Sequence, residues 1–97
     1  MYARVARFEG GSAEDIRRNM QRIGSDAPSG PPEGVPANGF TMLADADGGR
    51  VLAIALFATE EDMRVGGEVL DAMSPPEGSM GKRASVEQYE VAVDVRL

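Results

Sequence analysis

The chain has 97 residues, 42% hydrophobic and 27% charged, the make-up of one globular domain with a modest core. It has no cysteine and no histidine, which excludes thiol nucleophiles, disulfides, Cys/His zinc sites, His-ligated haem and imidazole acid-base catalysis, so no metal and no cofactor is expected. Ten basic against sixteen acidic residues give a net charge of −6, which repels phosphate backbones and argues against a nucleic-acid partner.

Residues 2–9 read as a first strand, with Ala3, Val5 and Arg7 on one face and Tyr2, Arg4, Ala6 and Phe8 on the other. Gly10-Gly11 breaks it, and Ser12 with Asp15 three residues on supplies a helix N-cap and a negative charge in the first turn. Ile16, Met20 and Ile23 follow at the spacing of an amphipathic helix, with Arg17, Arg18 and Arg22 on its polar side, and Gly24 stands at a C-cap position. From Ser25 to Asn38 the chain holds four prolines and two glycines, the mark of a surface loop or, in a functional reading, of a lid over a cleft. A second strand over Phe40–Ala44 turns through Asp45-Ala46-Asp47-Gly48-Gly49 into a third. The Asp-x-Asp-Gly string lacks the downstream ligand spacing of a calcium loop and reads as a turn.

The third strand, Val51-Leu52-Ala53-Ile54-Ala55-Leu56-Phe57-Ala58, carries no polar side chain and is predicted to be buried on both faces. Leaving the Leu52, Ile54 and Leu56 face wet would forfeit roughly 5–9 kcal/mol. It is also the longest apolar run, far short of the ~20 residues that span a bilayer, and the opening residues lack the pattern of a secretory signal. No membrane partner is expected, and the cytoplasm is the expected location.

Thr59 caps a second helix whose first turn is Glu60-Glu61-Asp62, placed to suit the helix dipole; a catalytic carboxylate cluster is the sharper alternative. Met63, Gly66, Gly67, Leu70 and Met73 trace its inner stripe, and Ser74-Pro75-Pro76 stops it. Two adjacent helical glycines cost about 1 kcal/mol each relative to Ala, which predicts a close approach to the backbone there. A flexible connection over 79–84 holds Lys82-Arg83, and a last strand over 86–97 puts Tyr89, Val91, Val93, Val95 and Leu97 on one face, as an edge strand does.

Residues 1–97 are thus predicted to form a single α+β domain of ferredoxin-like βαββαβ order, a four-stranded antiparallel sheet with two helices on one face. Nothing is left in the chain to cover the second face, so a second copy is expected to do so in a homodimer.

The stretches Met1-Tyr2-Ala3-Arg4-Val5-Ala6-Arg7-Phe8-Glu9-Gly10, Leu56-Phe57-Ala58-Thr59-Glu60-Glu61-Asp62-Met63 and Val86-Glu87-Gln88-Tyr89-Glu90-Val91 resemble the dimeric α+β barrel superfamily, and within it small antibiotic-biosynthesis-monooxygenase-like proteins. The resemblance spans nearly the whole chain in element order and consists of fold motifs, with no catalytic fingerprint. It implies a dimeric barrel with a ligand cleft between sheet and helices in each subunit. Activities in that group include cofactor-independent oxygenation of polycyclic phenols and oxidative haem degradation. The haem degraders rely on a first-strand Asn, a Trp and a His. This chain has neither Trp nor His, and its first strand carries Arg4 and Arg7. Quinone-forming members use Asn, Trp, Tyr and Arg; Arg and Tyr are the counterparts here, beside Asn19 and Asn38.

Two functions compete. A monooxygenase-like enzyme would line a pocket with Met20, Phe40, Met42 and Met63 and use Arg4 or Tyr89 as the polar handle for a small aromatic, weakly acidic ligand. The alternative is a non-catalytic dimeric module that binds a metabolite or a protein, with the methionines as core filler and Arg4 as an ion-pair partner. The acidic charge and the lack of aromatic-rich basic strand motifs argue against an RNA-recognition domain of the same topology.

Overall fold

The computed structural model describes residues 1–26, 33–73, 81–95 and 97. Its elements are β1 (Tyr2–Gly10), α1 (Ala13–Asp26), β2 (Gly39–Asp45), β3 (Arg50–Phe57), α2 (Glu60–Ala72) and β4 (Gly81–Glu90). The strands form one antiparallel sheet in the order β2-β3-β1-β4, so the predicted ferredoxin-like arrangement is the one observed. The two inner strands are β3, the most apolar of the four, and β1. Among the described residues no helix is long and apolar enough to cross a membrane.

Register fixes the two faces of the sheet. Tyr2, Arg4, Ala6 and Phe8 of β1 stand opposite Phe57, Ala55, Ala53 and Val51 of β3, and this face receives the helices. Two apolar clusters form on it. Ile16 of α1 packs with Ala6, Phe8 and Val51, joined by Met20 and Met42. Met63 of α2 packs with Ala55, Phe57 and Val35. On the other face Leu52, Ile54 and Leu56 are half-buried by their neighbours alone, and Leu43 and Tyr89 are half-exposed.

Local chemistry accounts for the helix ends. Ser12 Oγ accepts the Asp15 N–H at 3.1 Å, and Thr59 Oγ1 accepts that of Asp62 at 3.0 Å. Gly24 does not end α1: the helix runs to Asp26, where the Ser25 hydroxyl donates to the Gln21 carbonyl and gives the last turn a bond that a Gly C-cap would have supplied. At the far end of α2, Met73 is a half-exposed cap residue outside the inner stripe.

Three further expectations change. The prediction of a loop over 25–38 loses its first two residues to α1, and residues 27–32 lie outside the described residues. Its last part is no mere surface run, because Val35 is buried against Phe57 and Met63, and the Asn38 N–H donates to the Leu56 carbonyl at 2.7 Å. The prolines said to stop α2, at 75 and 76, also lie outside the described residues. The last strand begins five residues earlier than predicted and ends seven earlier. Pairing decides this: β1 offers backbone partners from Gly10, opposite Gly81, to Tyr2, opposite Glu90. Past Glu90 the sheet has only the Met1 carbonyl, which accepts from Val91, so Val93 and Val95 continue the alternating pattern without a strand beside them and stand mostly exposed.

Candidate functional site

Arg4 is the most unusual side chain on the helix-facing side of the sheet. It is 4% exposed, and its Nη2 donates to Asp71 Oδ1 on α2 at 2.6 Å. Its Nε is buried and has no hydrogen-bond partner. A guanidinium that is desolvated but only partly paired is costly unless something else satisfies it. β1 brings it there because Arg4 shares the inward parity of Ala6 and Phe8.

Two residues complete the surroundings. Gln88 of β4 stands directly across from Arg4 in the sheet register. Gly67 of α2 is buried over both: a Cβ built on it would lie 3.7 Å from Gln88 Nε2, 3.8 Å from Arg4 Cδ and 3.9 Å from Arg4 Nε. Met63, Gly67 and Asp71 recur every four residues and so share one face of α2. Beside them an open groove of about 400 Å³ is lined by Glu60, Glu61, Met63, Arg64 and Gln88. At its rim Arg64 bridges Glu61 and Glu68, and the Arg64 guanidinium holds the Glu61 carboxyl below its ordinary range.

The expected pocket residues are distributed over three places. Arg4 and Met63 lie together on the α2 side of the interlayer. Met20 and Met42 pack instead with Phe8 and Val51 under α1. Phe40, on the inward face of the edge strand β2, is 51% exposed. Tyr89 pairs with Ala3 and therefore faces away from Arg4, on the sheet side that no helix covers. Its hydroxyl donates to Glu87, which raises its pKa above the ordinary tyrosine value. Asn19 is buried on the inner face of α1; its Oδ1 accepts from Arg22 at 2.6 Å while its Nδ2 has no partner.

Gln88 and Gly67 were not singled out as site residues from sequence. The paired glycines were flagged for a close approach; Gln88 carried no signal beyond its place on the polar face of the last strand. Among the described residues no three carboxylates gather to hold a metal ion. What the arrangement offers chemically is a buried cationic N–H donor, a neutral amide donor and an apolar thioether wall.

No family model and no curated protein matches the sequence. Solved structures do match. The chain is similar to the haem-degrader MhuD from Mycobacterium tuberculosis with two haems bound in its active site, with a TM-score of 0.64 and 15% identity over 99% of this chain and 100% of that one. An MhuD mutant with two manganese protoporphyrin IX molecules bound per active site gives a TM-score of 0.60 at 15% identity, covering 98% and 97%. The likeness is one of fold. The fold of the single chain is the one that the resemblance to the dimeric α+β barrel superfamily implied.

Proposed function

We propose that two copies of this chain pair through their open sheet faces into an α+β barrel, and that each subunit binds a small aromatic or phenolic compound between α2 and the sheet as a cofactor-independent, monooxygenase-like enzyme. The observation that carries this reading is the buried Arg4 guanidinium, with its Nε unpartnered beside a groove walled by Met63. A buried cation is suited to hold a substrate oxygen as an anion, and an electron-rich phenolate can itself reduce O₂. The balance is closed without a cofactor: a phenol plus O₂ yields a quinone plus water, the ring supplying the electrons. The chain's own part is to bind and orient the anion and to keep water from it.

The neighbours hold haem-type ligands, and a haem substrate is the less favoured extension here because the chain has no histidine to meet the iron and no tryptophan. With catalysed phenol oxidation, oxygen uptake on a panel of phenols and hydroquinones falls about a hundredfold or more in Arg4→Met, the scale of losing one stabilising donor. Equal uptake in the variant rejects the site.

A non-catalytic binding module is the second reading. It is favoured by the absence of histidine and by the engagement of the nearest carboxylate, Asp71, with Arg4. Ligands that raise the melting temperature of the protein without any oxygen consumption would decide for it.

A further inference from the structure

Of the two adjacent glycines in α2, one has an evident packing reason and the other does not. A Cβ on Gly66 would meet Phe57 Cε1 at 2.6 Å. On Gly67 it would meet nothing closer than 3.7 Å, which is ordinary van der Waals contact, and α2 is a regular helix there. An alanine would therefore fit and would favour the helix, yet the position is glycine. What the missing side chain leaves is a small space beside Arg4 Nε, a buried donor without a partner on a residue 4% exposed, and beside Nε2 of the exposed Gln88.

We propose that this space is an oxygen subsite, and that it receives the oxygen of an aromatic ligand in its deprotonated form, as a phenolate. The inference rests on the groove reading above and adds the place where the anionic oxygen sits and the residues that select it over the neutral form. The guanidinium lies along α2, its Nη2 at Asp71 and its Nε at Gly67, so the Asp71 carboxylate is engaged, Arg4 Nε is a free donor and the Gln88 amide can present its N–H to the same point. Two donors, one of them cationic, match an oxygen that only accepts. Met63 lies four residues, about 6 Å along the helix axis, toward the N-terminus on the same face, which places the ring against the thioether while the oxygen sits at Gly67. The other charged or titratable groups near this place are Glu60, Glu61 and Arg64 of α2 at the groove, Tyr2 and Glu90 on the sheet rung beside Arg4, and Arg83 of β4, whose guanidinium donates to the Asp71 carbonyl. Glu61 is engaged by Arg64.

The test uses 4-nitrophenol, whose phenolate is yellow, and 4-nitroanisole, which cannot ionise. At a pH where free 4-nitrophenol is mostly neutral, the wild-type protein is expected to draw out a saturable phenolate band and to bind the anisole at least about tenfold more weakly. Gly67→Ala is expected to keep its circular dichroism and at least the wild-type melting temperature while losing about tenfold in phenolate affinity, because the added methyl fills the subsite. Gln88→Glu, a same-size change at an exposed position, weakens it as well by setting a carboxylate against the anion. Binding of 4-nitrophenol as the neutral phenol, or full affinity in a folded Gly67→Ala, overturns the subsite. Equal binding of the anisole also overturns it while leaving the groove standing, and failure of every aromatic to bind the wild type removes both.

Discussion

Gly66 and Gly67 are identical residues with different surroundings, and the difference sets the sign of two substitutions. At Gly66 the Phe57 ring occupies the place of a side chain and Val35 Cγ1 stands 3.3 Å away, so Gly66→Ala forces a buried aromatic to move. Overpacking of that kind costs about 1–3 kcal/mol, more than the ~1 kcal/mol that alanine gains in helix propensity. Urea denaturation is expected to show Gly66→Ala less stable than the wild type and Gly67→Ala equal to it or more stable. The sequence exposed the pair as a point of close approach, and no reading of the chain alone distinguishes one glycine from the next. That distinction depends on where Phe57 lands under α2, which is a matter of packing between a strand and a helix. The same limit applies to the polar handles. Parity along each strand is legible, but only the pairing of Arg4 with Gln88 and of Ala3 with Tyr89 reveals that Arg4 and Tyr89 face opposite sides of the sheet.

At the scale of elements, α2 has three acids in its first turn and no base in its last. The missing positive charge comes from another element. Arg83 of β4 donates to the Asp71 carbonyl at 2.9 Å, to Met73 at 3.3 Å and to Leu70 at 3.2 Å, so one guanidinium serves two carbonyls at the helix end and shares a third, which also accepts the Met73 N–H at 3.1 Å. Arg83→Ala is expected to lower stability by about 1 kcal/mol and to speed amide exchange in the strand and helix segments it joins. Unchanged exchange in α2 and β4 would mean that water serves the carbonyls equally well. This contact also explains a boundary that composition misplaced. Gly81-Lys82-Arg83-Ala84 has no strand-forming residue and reads as a connection, yet it is the first part of β4. Both the backbone of β1 and the end of α2 need partners there, and tertiary demand overrides a weak local preference. The capped starts of both helices, by contrast, were legible from Ser12 and Thr59 because capping is local chemistry.

The whole molecule leaves one side of its sheet to be covered. Ile54 is at its middle, opposite Val5 on one side and Thr41 on the other, with Leu52 and Leu56 flanking it along the strand. The apolar repeat after Glu90 runs past the last β1 partner, so the same molecule also carries strand-like sequence that its own sheet cannot use. A second copy would meet both features, and a stable pair of this kind buries on the order of 1,200–2,000 Å² in total. The sequence pointed to this through the eight apolar residues of the central strand, whose two faces one pair of helices cannot both cover. A lysine at the centre of such an interface is desolvated without a counter-charge and costs several kcal/mol per subunit, whereas on a free sheet face its stem lies along the surface with the ammonium in water. Ile54→Lys is therefore expected to convert a dimer into a 10.3 kDa folded monomer in sedimentation velocity, with α1 and α2 still visible in circular dichroism. A wild-type protein that sediments as a monomer at high concentration would show that the open face is tolerated in water, and the barrel would fall with it.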